Sequence, residues 1–217
     1  MRQISLSSAR PRLRRVRAAL RFVASVMMVS GTLLIADAVV TLLWQEPVSA
    51  YVADNNQATL KKAFFDPPER VIHRRPLKGD AIAQIRIPSI GLNKYVVQGT
   101  DVDSLRKGPG HYPETPLPGA PGTTAIAGHR TTNGAPFRHI DEVKRGEPVI
   151  IDMPDGRFVY RVQRTKIVDD QDLSVLDRVG YQRLVLSACH PLYSAAQRII
   201  VFARLIRREP ARVRRSS

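Results

Sequence analysis

From residue 81 onward the apolar runs are short, and a proline or glycine repeatedly stops them. This punctuation limits what the chain can fold into more than any other feature. Ala81-Ile82-Ala83-Gln84-Ile85-Arg86-Ile87 alternates as a half-buried strand and ends at Pro88. Tyr95-Val96-Val97 is a second strand, and Thr123–Ala127 a third, placed after a Pro- and Gly-loaded surface loop over 108–122. Pro148–Met153 and Arg157–Val162 flank Pro154-Asp155-Gly156 and predict a hairpin. Leu184–Cys189 stops before Pro191, and Arg198–Ala203 follows a short loop. Many short strands separated by turn signals predict a mostly β fold, a closed or nearly closed barrel. Helices are expected to be short there: 101–105, opening on an acidic cap, and 137–143.

The front of the chain is different. Phe22–Leu43 is a 22-residue apolar run that spans about 33 Å as a helix, enough to cross a bilayer. Arginines precede it and none follows closely, which places the N-terminus in the cytoplasm and the rest outside. Val48-Ser49-Ala50 resembles a signal-peptidase site, but the run is longer than the apolar part of a signal peptide, and an uncleaved anchor is the expectation. The organisation read from the sequence is a basic tail over 1–17, a transmembrane anchor over 18–44, an extracellular linker over 45–80, a β-barrel over 81–206 and a basic tail over 207–217. Within the linker a helix over 48–65 is expected, with a weak stripe of Tyr51, Ala58 and Phe65. The net charge of +15 is concentrated at the ends. Residues 1–36 hold seven arginines and no acid, and 204–217 hold six arginines and one glutamate. With a nearly balanced middle, the domain lacks the basic footprint of a nucleic-acid binder.

Cys189 is the only cysteine, which excludes an intramolecular disulfide framework and a multi-cysteine zinc site. It is either an inert packing residue or a nucleophile. Two apolar runs joined by a loop predict antiparallel neighbours, so the end of the first, Cys189, should lie beside the start of the second, Arg198. A thiol nucleophile needs a nearby cation or base. Arg198 supplies the cation; it stays charged and cannot be the base. His190 follows Cys189 directly and should face the opposite side of the strand. His129, delivered at the end of the strand Thr123–Ala127, is the better base. His111 is expected to shape its loop, and His73 and His139 to be solvated. Asp169, Asp170 and Asp172 are read as a solvated loop, their spacing not being that of a calcium loop.

A strand ending in Gly128-His129-Arg130, a strand ending in Cys189 before His190-Pro191, and an arginine on the next strand together resemble the sortases, membrane-anchored cysteine transpeptidases of Gram-positive bacteria. Gly108-Pro109-Gly110-His111-Tyr112-Pro113, Gly128–Thr132 and Gly134-Ala135-Pro136-Phe137 are most similar to class E, actinobacterial-type members. The similarity runs from about Ala81 to Leu205. It implies a closed sortase barrel and a catalytic set of Cys189, His129 and Arg198, with no cofactor or metal. The implied substrates are a Leu-Ala-x-Thr-Gly or Leu-Pro-x-Thr-Gly sorting signal, cut between Thr and Gly, and an amine from a peptidoglycan precursor. Tyr112, Ala188 and His190 are the candidate substrate contacts. Where the family usually has Thr-Leu-x-Thr-Cys, this chain has Val185-Leu186-Ser187-Ala188-Cys189, so a hydroxyl beside the nucleophile is missing. A cysteine hydrolase and a silent peptide-binding barrel are the rival readings.

Overall fold

The computed structural model describes residues 10–43 and 47–210, in two compact units divided after Gln45. The first is a single helix, α1 (Arg10–Leu43). Its segment Arg14–Val40 is 27 residues long, with an 18-residue stretch of mean hydropathy 2.0, and is long and apolar enough to cross a membrane.

The second unit begins with α2 (Pro47–Phe65) and α3 (Glu69–Ile72). The barrel strands are β1 (Ala81–Ile87), β2 (Leu92–Gln98), β3 (Gly110–His111), β4 (Thr123–Ala127), β5 (Pro148–Met153), β6 (Gly156–Asp169), β7 (Arg183–His190) and β8 (Gln197–Pro210). Between β2 and β3 lies α4 (Val102–Leu105), whose N-cap Asp101 accepts from the Asp103 and Ser104 amides. The strands close in the order β1-β2-β3-β4-β7-β8-β6-β5. Pairing is antiparallel except for β2 with β3 and β4 with β7. Closure leaves no open sheet, as the short punctuated runs predict.

Each strand turns alternate residues inward. Ile85, Ile87, Ile126, Leu184, Leu186 and Val201 belong to one interior cluster, and Tyr160 fills it from β6. Tyr160 keeps its hydroxyl satisfied there by accepting from the Gly119 amide at 2.9 Å.

The segment 45–80, expected as linker, carries a helix packed on the barrel. Leu60 and Phe64 of α2 bury against Ala81, Tyr95 and Val97. The Gln57 side chain completes the union. Its Oε1 accepts from the Tyr95 amide at 2.7 Å, and its Nε2 donates to the carbonyls of Tyr95 (3.1 Å) and Lys107 (2.8 Å). β2 meets β3 only at Val97 and Gln98, so Gln57 serves Tyr95 as the missing strand would. The buried face of α2 is therefore Ala53, Leu60 and Phe64, and the stripe expected from sequence is wrong: Tyr51, Ala58 and Phe65 are exposed. A polar glutamine at the centre of the interface hides the face from a search for apolar spacing.

Candidate active site

The site is built by register. Cys189 on β7 lies directly opposite Arg198 on β8. β4 runs parallel to β7, with Ala127 beside Ser187, and the Gly128 amide donates to the Ser187 carbonyl at 3.0 Å. His129 follows at once, so the two strands deliver imidazole and thiol at the same level. Gly128 must be glycine, because a Cβ there would meet the Phe137 ring at 2.5 Å. Phe137 is fully buried, and its amide donates to the His129 carbonyl at 2.9 Å, which fixes the backbone on both sides of the turn.

Side-chain alternation then decides which residues share a face. Leu184, Leu186 and Ala188 of β7 point into the core, as do Ile199 and Val201 of β8. Val185, Ile200, Phe202, Ala125 and Val168 form a separate cluster on the outer face. Cys189, Arg198 and His129 stand at outer positions, at the head of that apolar surface. Below them come Ser187 with Ile200, then Val185 with Phe202.

Cys189 and His129 are both half-buried. Burial lowers the His129 pKa from its usual value, which favours the neutral imidazole near pH 7. Arg198 Nη1 donates to its own loop, to Ala195 O at 2.8 Å and Gln197 O at 3.0 Å. These bonds hold the guanidinium at the strand end, and its other N–H groups have no partner among the described residues.

The outer surface is partly roofed. Tyr112 continues the β3–β4 ladder through its amide, which donates to Ala125 O at 3.0 Å, and its ring packs on the outer cluster with Val175 and Leu176. The β6–β7 loop carrying those two residues is tied down by Arg183. Arg183 Nη2 donates to Val175 O (2.8 Å) and Asp177 O (2.6 Å). Asp172 opens the turn Leu173–Leu176, accepting from the Ser174 amide at 3.0 Å.

Two expected substrate contacts do not share the thiol's face of β7. Ala188 is 3 % exposed and faces the barrel core, on the side of β7 away from the thiol. His190 is turned toward Arg130, whose Nη1 lies 3.4 Å from its Nδ1. Both follow from strand alternation about Cys189. His111 is more than a loop-shaping residue. It is buried, with Nδ1 2.9 Å from Gln98 Oε1 and Nε2 3.2 Å from the Pro116 carbonyl.

Sequence reasoning passed over Arg130. It is 2 % exposed, its Nη2 meets Asp141 at 2.7 Å, and its Nη1 donates to the Cys189 carbonyl at 3.4 Å. One residue thus follows His129 in the chain and holds the backbone of Cys189 in space. The signal was present, a charged residue directly after the histidine at a strand end, but nothing local shows that it is buried.

A thiol, an imidazole and a guanidinium at adjoining strand ends of a closed barrel are the parts of a cysteine-dependent acyl-transfer enzyme. The Sortase domain family model matches residues 85–206, more than half of the chain, and the chain belongs to the sortase family, whose members are cysteine transpeptidases. It is 32% identical to Sortase D of Bacillus subtilis over 154 residues, 69% of this chain and 76% of that protein. It is 29% identical to Sortase SrtE1 of Streptomyces coelicolor over 148 residues, 61% of this chain but 42% of the relative. Among solved structures, the Clostridium perfringens Sortase D5 transpeptidase superposes with a TM-score of 0.63 at 28% identity, covering 72% of this chain and 99% of that one. Sortase E of Streptomyces avermitilis gives 0.58 at 32% identity, covering 62% and 93%. The similarity thus extends to D-type as well as E-type members.

Proposed function

We propose that the protein cleaves a Leu-Ala-x-Thr-Gly or Leu-Pro-x-Thr-Gly sorting signal between Thr and Gly and joins the new acyl end to an amine of a peptidoglycan precursor. The observation that carries this reading is the alignment of Cys189 opposite Arg198 with His129 at the same level on the parallel neighbour.

Cys189 passes its proton to His129, and its sulfur forms a bond to the threonine carbonyl carbon. Arg198 donates hydrogen bonds to the oxygen that gains negative charge. As the C–N bond breaks, imidazolium His129 returns the proton to the leaving glycine amine, and a thioester remains. The acceptor amine attacks the thioester, His129 removes its proton, and that proton goes back to the sulfur as the C–S bond breaks. No net charge is gained or lost over the cycle. The apolar outer cluster and Tyr112 hold the peptide below the thiol, with the Tyr112 ring beside the second motif residue. α1 anchors the enzyme with its basic N-terminal side in the cytoplasm, and the barrel works outside.

The test is mass spectrometry of the protein with a sorting peptide, with and without an amine acceptor. A peptide adduct on Cys189 that disappears when amine is added, leaving a peptide–amine product, is expected. Cys189→Ala should form no adduct while remaining folded. An adduct on that variant refutes the assignment, and free peptide acid as the sole product in the presence of amine favours a hydrolase.

A further inference from the structure

The outer face that bears the catalytic residues is strongly asymmetric in charge. Directly opposed in the register, Arg161 of β6 faces Arg204 of β8, and Arg204 faces Arg183 of β7. Like charges placed directly across a sheet are destabilising. Arg164 and Arg183 also flank the ring of Phe202, at 4.9 and 5.2 Å from its centroid. Lys166 stands one step nearer the catalytic level, opposite Ile200, with Asp172 at 4.0 Å. Arg183 is buried and its guanidinium is held by the Val175 and Asp177 carbonyls, whereas among the described residues Arg161, Arg164 and Arg204 have no acidic partner and are exposed, Arg204 stacking over the Tyr181 ring at 4.9 Å.

Protection of a free strand edge is the ordinary reason for such charges. It accounts for Arg164 and Lys166, because β5 pairs with β6 only as far as Pro148 opposite Arg161. It does not account for Arg161 and Arg204. Those two lie where β6 and β8 have strands on both sides. A repulsive row inside a sheet is offset when an anion occupies it.

Building on the function proposed above, we infer that this cationic ladder is the docking surface for the second substrate, an amine acceptor that itself carries several negative charges. Arg204 lies six residues along β8 from Arg198, about 20 Å at strand rise. An extended acceptor with its amine at the thioester and its acidic groups a few residues behind reaches the ladder.

The experiment uses the full chain in uncharged detergent, a sorting peptide as donor, and two acceptors in competition: triglycine amide and triglycine extended by three aspartates. The acidic acceptor should be preferred about ten-fold at low ionic strength, since a cationic surface raises the local concentration of anions. The preference should fall toward unity at about 0.5 M salt, where screening is nearly complete within a few ångströms. Arg161→Gln/Arg204→Gln should abolish the preference while the rate of acyl-enzyme formation stays unchanged. Arg161→Gln alone, at an exposed position, provides the same reading if the pair folds poorly. Equal use of both acceptors by the wild type overturns the inference. Variants that retain the acceptor preference but lose binding to phosphatidylcholine–phosphatidylglycerol vesicles would assign the surface to the bilayer and also overturn it. Failure of the wild type to form any acyl-enzyme instead refutes the functional reading. In that case, titration of the labelled acidic peptide decides the surface alone: salt-sensitive binding lost in the variants supports it, and no binding overturns it.

Discussion

Arg198 and Ala188 sit ten residues apart on neighbouring strands, and their orientations make opposite predictions. Arg198 is on the outer face beside Cys189, with N–H groups that have no partner among the described residues. A planar fork can donate to an oxyanion and a substrate carbonyl at once, whereas an ammonium is a point charge. Arg198→Lys should lower kcat/KM for acylation by 100-fold or more, on the order of 3 kcal/mol. Near-normal acylation would show that charge alone is required. Ala188 faces the filled interior, so Ala188→Thr inserts a methyl and a hydroxyl into packed space, at a cost of about 1–3 kcal/mol. Its Tm should fall while the choice between alanine- and proline-containing sorting peptides stays as in the wild type. A changed preference would mean that position 188 reaches the substrate.

At the scale of elements, the geometry of the candidate site depends on how β4 is held against β7. The Gly128 amide makes one link and the Arg130 guanidinium another, with Asp141 fixing the guanidinium from the loop after β4. In the reaction proposed above Arg130 is a positioning residue: it touches the backbone of Cys189 rather than its thiol. Asp141→Asn should lower stability by about 1–3 kcal/mol, since it weakens the pairing of a buried charge. Assayed well below its Tm, the variant should lose kcat with KM nearly unchanged. A purely structural role would leave kcat per folded molecule intact. The docking of α2 is a separate matter. Leu60 is 4 % exposed against Tyr95 and Val97, and Leu60→Ala should destabilise the domain by about 2–5 kcal/mol in a denaturant titration. An effect below 0.5 kcal/mol would mean that α2 is dispensable to the barrel.

For the molecule as a whole, His111 ties global stability to pH. Burial pushes its pKa down to about 4, despite the Pro116 carbonyl beside it. The unfolded chain takes up a proton at the ordinary histidine value near 6.5, and the folded one does not until about pH 4. Between those values the unfolded state binds more protons, so stability falls as pH falls, by roughly 3 kcal/mol in all from this residue. Above pH 6.5 His111 contributes no slope. Urea midpoints across that window should decline in the wild type and decline less in His111→Gln; identical slopes would show that another group is responsible.

Local chemistry determined much of this protein before any tertiary contact. Alternation and proline placed β1, β7 and β8, and a short loop forced β7 and β8 together, so Cys189 opposite Arg198 was legible from two neighbouring runs. Asp101 announced the cap of α4, and the long apolar run announced α1. Other features needed the closed barrel. β4 and β7 are parallel and separated by more than fifty residues, so no turn signal records that His129 reaches the level of Cys189. Their pairing is imposed by closure of the sheet. The same closure buries Arg130, whose charge reads as a surface residue until Asp141 and the Cys189 carbonyl surround it. It also sets Arg161 of β6 beside Arg204 of β8. A strand's own pattern tells which residues share a face; which strands become neighbours is decided by the packing of the whole core.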